Sequence, residues 1–100
     1  KDSVYILFFY QEDEACGQCS TQGYVLTSLK DSFGDKLLVF SLDAASDEPM
    51  VSLMKNVYNI TETPSVVVDD EAKSGFLEED TLLMLICSHF TEKSLPCQPL

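Results

Sequence analysis

Cys16 and Cys19, three positions apart with Gly17 and Gln18 between them, are the residues of this chain best placed to do chemistry. Two thiols at that spacing can close a disulfide, exchange it with another thiol, or supply half of a metal site. A short, almost wholly apolar run, Val4–Tyr10, precedes them, and an amphipathic stretch, Cys19–Phe33, follows. The pair therefore falls between a buried strand and a helix. There the unsatisfied backbone N–H groups and the positive end of the helix dipole favour an anion, and the thiolate is the reactive form of cysteine. This placement predicts redox chemistry: Cys16, exposed at the helix start, attacks, and Cys19, one turn further in, resolves the mixed disulfide. The bland alternative is a static Cys16–Cys19 disulfide in a module that only binds. Zinc would need two more ligands, and Cys87, Cys97 and His89 are the only soft or imidazole candidates. They follow a helix expected to lie away from the pair, so neither a metal nor any other cofactor is expected.

The elements that must hold the pair can be read from the apolar periodicity. Val4–Tyr10 has no alternation, as in a strand buried on both faces. In the helix that follows, Leu26, Leu29 and Phe33 form a stripe widened by Val25, and Gly34 is placed to end it. Residues 37–42 repeat the buried-strand signature, so strand, helix and strand form a parallel crossover. Asp47 is an N-cap candidate with Pro49 in the first turn, and Met50, Leu53, Met54 and Val57 give the second helix its expected core face. Ser65–Val68 is a third strand, 69–72 supply turn residues and 73–77 return antiparallel. A last helix over about 79–90 buries Leu82, Leu83, Ile86 and Phe90, and the tail 91–100, with Pro96 and Pro99, cannot continue it.

This order, with CxxC after the first strand and Thr63-Pro64 just before the third, resembles the thioredoxin superfamily in a minimal form over residues 4–90. The resemblance implies an α/β, thioredoxin-like fold, β-α-β-α-β-β-α, whose central four-stranded mixed sheet is flanked by helices. With the length of the chain, which predicts a single domain over 1–100, it sets the core at 4–90 and the tail at 91–100. It also implies a thiol-disulfide oxidoreductase acting on protein or peptide thiols through Cys16 and Cys19. In that family the proline matching Pro64 is cis and its loop lies against the CxxC, and Gly75 resembles the glycine that keeps the neighbouring loop close. Gly17, Gln18, Thr63, Pro64 and Gly75 are thus the expected substrate-binding residues. Two departures stand out. Ala15 replaces the aromatic residue before the motif, and Val4–Tyr10 lacks the buried carboxylate that serves the second cysteine, leaving water or Glu12, Asp13 or Glu14 to take that part. A non-catalytic interaction module with a structural CxxC is the alternative.

One hundred residues, 45% of them hydrophobic, suffice for one core. No apolar stretch reaches the ~18 residues that span a bilayer, so no direct membrane insertion is expected. The start at Lys1, without methionine, suggests a processed product from which a signal or anchor was removed. A net charge of −11 repels phosphate backbones and anionic headgroups, which argues against nucleic acid as a partner. The expected partners are protein or peptide thiols and disulfides and a redox partner, and the expected state is monomeric. Cys87 and Cys97 are expected to form a structural disulfide tying the tail to the last helix; the alternative is a core thiol and a free one. On that pair hangs the compartment, extracytoplasmic (periplasm, cell surface, secreted or endoplasmic reticulum lumen) or else cytosolic. His89 suits a capping or surface role better than that of a general base. Asn59-Ile60-Thr61 matches a glycosylation acceptor, but Asn59 suits a helix C-cap better.

Overall fold

Apolar side chains run without a break through Val4–Tyr10, and this segment is an inner strand, β1, with neighbours on both edges. The structure, a computed structural model, describes residues 3–91 and 95–98. After β1 come α1 (Cys19–Phe33), β2 (Leu37–Asp43), α2 (Pro49–Val57), β3 (Ser65–Val68), β4 (Glu71–Ser74) and α3 (Glu79–Ser88), with single 3-10 turns at Gly34–Lys36 and Leu95–Cys97. The sheet order is β2-β1-β3-β4. β1 pairs with β2 in parallel, Val4 opposite Leu37, and with β3 antiparallel, Phe9 opposite Ser65. The result is the mixed α/β sheet expected from the sequence.

Alternation along β1 sends side chains into two cores. Val4, Ile6 and Phe8 join Leu37, Val66 and Val68 beneath α1 and α3, which contribute Leu26, Leu29, Phe33, Leu82 and Ile86. Phe9 and Val67 face the other way and meet Ala44, Met54, Tyr58 and Ile60. Fully buried aliphatic side chains such as Ile6, Leu82 and Ile86 each contribute about 1.5–3 kcal/mol relative to exposure. Leu83 and Phe90 are half-buried and pack against the first core. Part of the tail, residues 92–94, Pro99 and Leu100, lies outside the described residues, as do Lys1 and Asp2.

Sequence expectations are corrected in three elements, the first being α2. The inward side of α2 is Val51 and Met54, continued by the C-cap Tyr58, while Met50, Leu53 and Val57 are 58%, 54% and 62% exposed. Six apolar residues lie among positions 50–58, so periodicity fixes the spacing and leaves the phase open. Two polar anchors set the phase: Lys55 Nζ donates to Ala44 O at 2.6 Å, and the Tyr58 hydroxyl donates to Asp70 Oδ1 at 2.8 Å. The α2 N-cap is Glu48 rather than Asp47. Second, β2 is an edge strand with Leu38 and Phe40 exposed, because only one neighbour pairs with it among the described residues. Third, the β3–β4 turn is tighter than expected. Asp69 and Asp70 both have positive φ, 44° and 70°, as a two-residue hairpin loop with the right twist requires. β4 therefore starts at Glu71 instead of 73.

Other local expectations match. Gly34 ends α1 with φ 59° and ψ −131°, a conformation open to glycine, and its N–H donates to Lys30 O. Asn59 follows α2 with φ 54°, as a residue ending a helix does. Cys87 and Cys97 form a disulfide.

Candidate redox site

Cys16 and Cys19 are joined in a disulfide, Cα atoms 5.5 Å apart, at the carboxyl end of β1 where the chain passes into α1. This end of a strand feeding a crossover helix is where open α/β sheets bind their ligands. Consecutive turns carry the chain there: Ala15 N–H donates to Glu12 O, Cys16 N–H to Asp13 O and Cys19 N–H to Cys16 O. Cys19 is the first residue of α1, so Cys16 lies in the turn before the helix. The expectation of an exposed Cys16 is corrected: it is 5% exposed and Cys19 4%. The turns fold Cys16 inward, while Gly17 and Gln18 remain exposed above the disulfide.

Gln11, which sequence reasoning passed over, links the disulfide to the third strand. Its backbone N–H donates to Cys19 Sγ at 3.5 Å, and its side-chain Oε1 accepts the Thr63 hydroxyl at 3.0 Å. The β1–β3 register pairs Phe9 with Ser65 and, carried two residues on, sets Gln11 opposite Thr63. The Thr63–Pro64 peptide is cis, and Pro64 is buried. Gly75, at φ 87°, donates its N–H to Pro64 O at 2.9 Å. Thr63 itself makes no backbone hydrogen bond among the described residues. Of the expected site residues, Thr63, Pro64 and Gly75 thus form one connected loop, joined through Gln11 to Cys19.

Beside the disulfide opens a groove of about 680 Å³. Cys19 reaches it, Phe8 and Tyr10 line it with rings 5.7 Å apart, and the exposed Glu12, Asp13 and Glu14 border it. Asp13 Oδ1 accepts the Ser20 hydroxyl at 2.6 Å, tying the acidic turn to the first turn of α1.

Glu62 and Lys55 line a hollow with Gln11 and Thr63, whereas His89, Glu71 and Tyr5 lie elsewhere. His89, the C-cap of α3, contacts Glu71 Oε1 through Nε2 at 2.9 Å, at the hairpin end of the sheet. That bond, ahead of the contribution of Lys73, holds the Glu71 carboxyl below its ordinary range. At the same end Tyr5 donates its hydroxyl to Asp70 at 2.7 Å; this bond first, then Tyr58 and burial, push the Tyr5 hydroxyl well above its usual range. No group of three or more His, Cys, Asp or Glu among the described residues is arranged to hold a metal ion. None of their helices is long and apolar enough to cross a membrane.

No family model and no curated protein sequence matches the chain. Solved structures do. One described as the structure of a malarial protein superposes with a TM-score of 0.73 at 17% identity, covering 89% of this chain and 99% of its own. Thioredoxin-2, a component of malaria parasite protein secretion machinery, gives 0.72 at 19% identity over 89% of this chain and 85% of its own. Chloroplastic thioredoxin z gives 0.69 at 17% identity, with coverages of 86% and 77%. The chain has a thioredoxin-like fold, with a disulfide at the end of its first strand.

Proposed function

We propose that the chain is a thiol-disulfide oxidoreductase acting on protein or peptide thiols through Cys16 and Cys19. The observation that carries this reading is the Cys16–Cys19 disulfide at the carboxyl end of β1, with the Gln11 N–H on the Cys19 sulfur. Starting from this oxidised form, a substrate thiolate attacks Cys16 Sγ. A mixed disulfide forms, the Cys16–Cys19 bond breaks, and its electron pair leaves on Cys19. A second substrate thiolate then attacks the substrate sulfur of that mixed disulfide and expels Cys16. The substrate dithiol is oxidised, the protein is reduced, and the two protons released by the substrate end on Cys16 and Cys19. The same steps reversed reduce a substrate disulfide. A backbone N–H aimed at Cys19 favours the thiolate that leaves in one direction and attacks in the other.

Gly17 and Gln18, exposed over the disulfide, are where a substrate segment makes its approach. The backbone groups of Thr63, unpaired among the described residues and beside Pro64 and Gly75, are available to pair with it as an added strand. An oxidising, extracytoplasmic compartment fits two joined cysteine pairs, and a monomer fits a charge of −11.

The burial of both sulfurs favours a second reading, a non-catalytic module whose CxxC is structural. Reduction decides between them. A redox pair is reduced by a mild dithiol and reoxidised with the fold intact, as followed by circular dichroism and thiol counting; a structural disulfide resists or unfolds. In the redox reading Cys16→Ser abolishes exchange, and Cys19→Ser accumulates mixed disulfides seen by mass spectrometry. The reverse pattern would exchange the two roles.

A further inference from the structure

The groove beside Cys19 does not end at the disulfide. A second hollow of about 390 Å³ shares Phe8, Ser20, Gly23 and Ser41 with it and runs on between α1 and β2 as far as Lys30. Together they form a trough with a partly aromatic floor. Its mouth, at the disulfide, is bordered by Glu12, Asp13 and Glu14, and no basic residue lines that part. Lys30, at the far end, donates its Nζ to Gly34 O at 2.8 Å and Leu37 O at 2.7 Å, which fixes the trough's one lining cation away from the mouth.

Gly23 supplies an independent observation. It lies inside α1 and borders both hollows. Glycine in a helix interior costs stability relative to alanine, yet a Cβ there would meet only Phe8 Cε2, at an ordinary 3.8 Å. Neither crowding nor backbone conformation calls for glycine at this position. What its missing side chain provides is width in the trough.

We infer that this trough seats an extended, lysine- or arginine-bearing segment of the substrate protein adjoining its reacting cysteine. The inference rests on the redox reading above and names the substrate class for that site. Aliphatic stems of Lys and Arg lie against rings while their heads reach carboxylates, and cations over aromatic faces gain further attraction. A segment of the opposite sign meets three carboxylates with no compensating cation at the mouth.

The test uses the oxidised protein and two labelled peptides in which serine replaces the reacting cysteine, one flanked by lysines and one by glutamates. Binding is read by fluorescence anisotropy at low salt. The lysine peptide should bind about tenfold more tightly, and Glu12→Gln with Glu14→Gln should cut that preference about fivefold, as two partly screened charges would. Asp47→Asn with Glu48→Gln removes the same net charge away from the trough and should leave the preference intact. Gly23→Leu should abolish binding with the helical spectrum unchanged. Equal binding of both peptides, or an equal effect of the two double variants, overturns the inference. Rates with cysteine-containing peptides and a small aromatic disulfide, run in parallel, keep the two readings apart. Exchange of the small disulfide without peptide preference sinks the trough alone, whereas peptide preference without any exchange sinks the redox reading on which the substrate assignment rests.

Discussion

At position 22 the buried face of α1 carries an amide instead of an aliphatic side chain. Gln22 is 0% exposed, and both ends of its amide meet one backbone unit: Oε1 accepts Leu77 N–H at 2.8 Å and Nε2 donates to Leu77 O at 3.2 Å. It thereby stitches α1 to the segment leading into α3. Gln22→Leu keeps the volume but strands both Leu77 groups, so we expect a loss of about 2–3 kcal/mol in urea unfolding. A midpoint unchanged in that experiment would mean that water satisfies Leu77 instead. Neither Gln22 nor Gln11 was legible in the sequence, because a polar residue near an apolar stripe reads as solvated until its partner, 55 or 52 residues away, is known. Glu71 gives a pH prediction with a definite sign. His89 first, and Lys73 second, lower its pKa in the folded state below the ordinary 4.5. Its contribution is therefore present in full above that value and disappears as pH falls through the lower, folded-state value. Glu71→Gln should flatten the loss of stability on acidification below about 4.5, and parallel acid-unfolding curves for the two proteins would contradict it.

At the scale of elements, the phase of α2 can be checked by paired substitutions. Val51→Ala removes a buried methyl pair and should cost about 1–2 kcal/mol, whereas Leu53→Ser on the exposed side should stay within about 0.5 kcal/mol. The opposite ranking in thermal unfolding would restore the Met50, Leu53 and Val57 face to the core. Gly23→Ala in α1 should stabilise the protein by about 0.5–1 kcal/mol, since helix propensity is gained and Phe8 is not crowded. Helix α1 and strands β1 and β3 were legible in the sequence to the residue, or nearly so, because each has one apolar pattern and a clear boundary at Gly34 or Pro64. The burial of β2 was not. An unbroken apolar run has the same appearance in an inner strand and in an edge strand, and only the sheet order reveals that Leu38 and Phe40 are exposed. The Asp69-Asp70 turn was misjudged for a related reason: two aspartates in positive φ carry no glycine to mark the tight loop.

For the whole molecule, the balance is between cross-links and charge. A net charge of −11 on one hundred residues opposes compaction, while two disulfides restrain the unfolded chain. They do so unequally. Cys16–Cys19 closes a separation of 3 residues at the site, whereas Cys87–Cys97 closes 10 and holds the turn Leu95–Cys97 against α1 and α3. Cys87 and Cys97 are half-buried against the main core, more exposed than Cys16 and Cys19, and both line a hollow with Leu83 and Pro96. Chain entropy gives a loop of that length about 2.5–3 kcal/mol, and less for the shorter one. Cys87→Ala with Cys97→Ala should therefore lower unfolding free energy by about that amount while leaving the thiol exchange proposed for Cys16 and Cys19 in place. Titration with a dithiol should resolve two steps, the first releasing the thiols of Cys16 and Cys19 with the near-ultraviolet spectrum preserved, the second accompanied by a drop in melting temperature. A single step that frees all four thiols together with unfolding would make the CxxC pair part of the scaffold and remove the division of labour between the two cross-links.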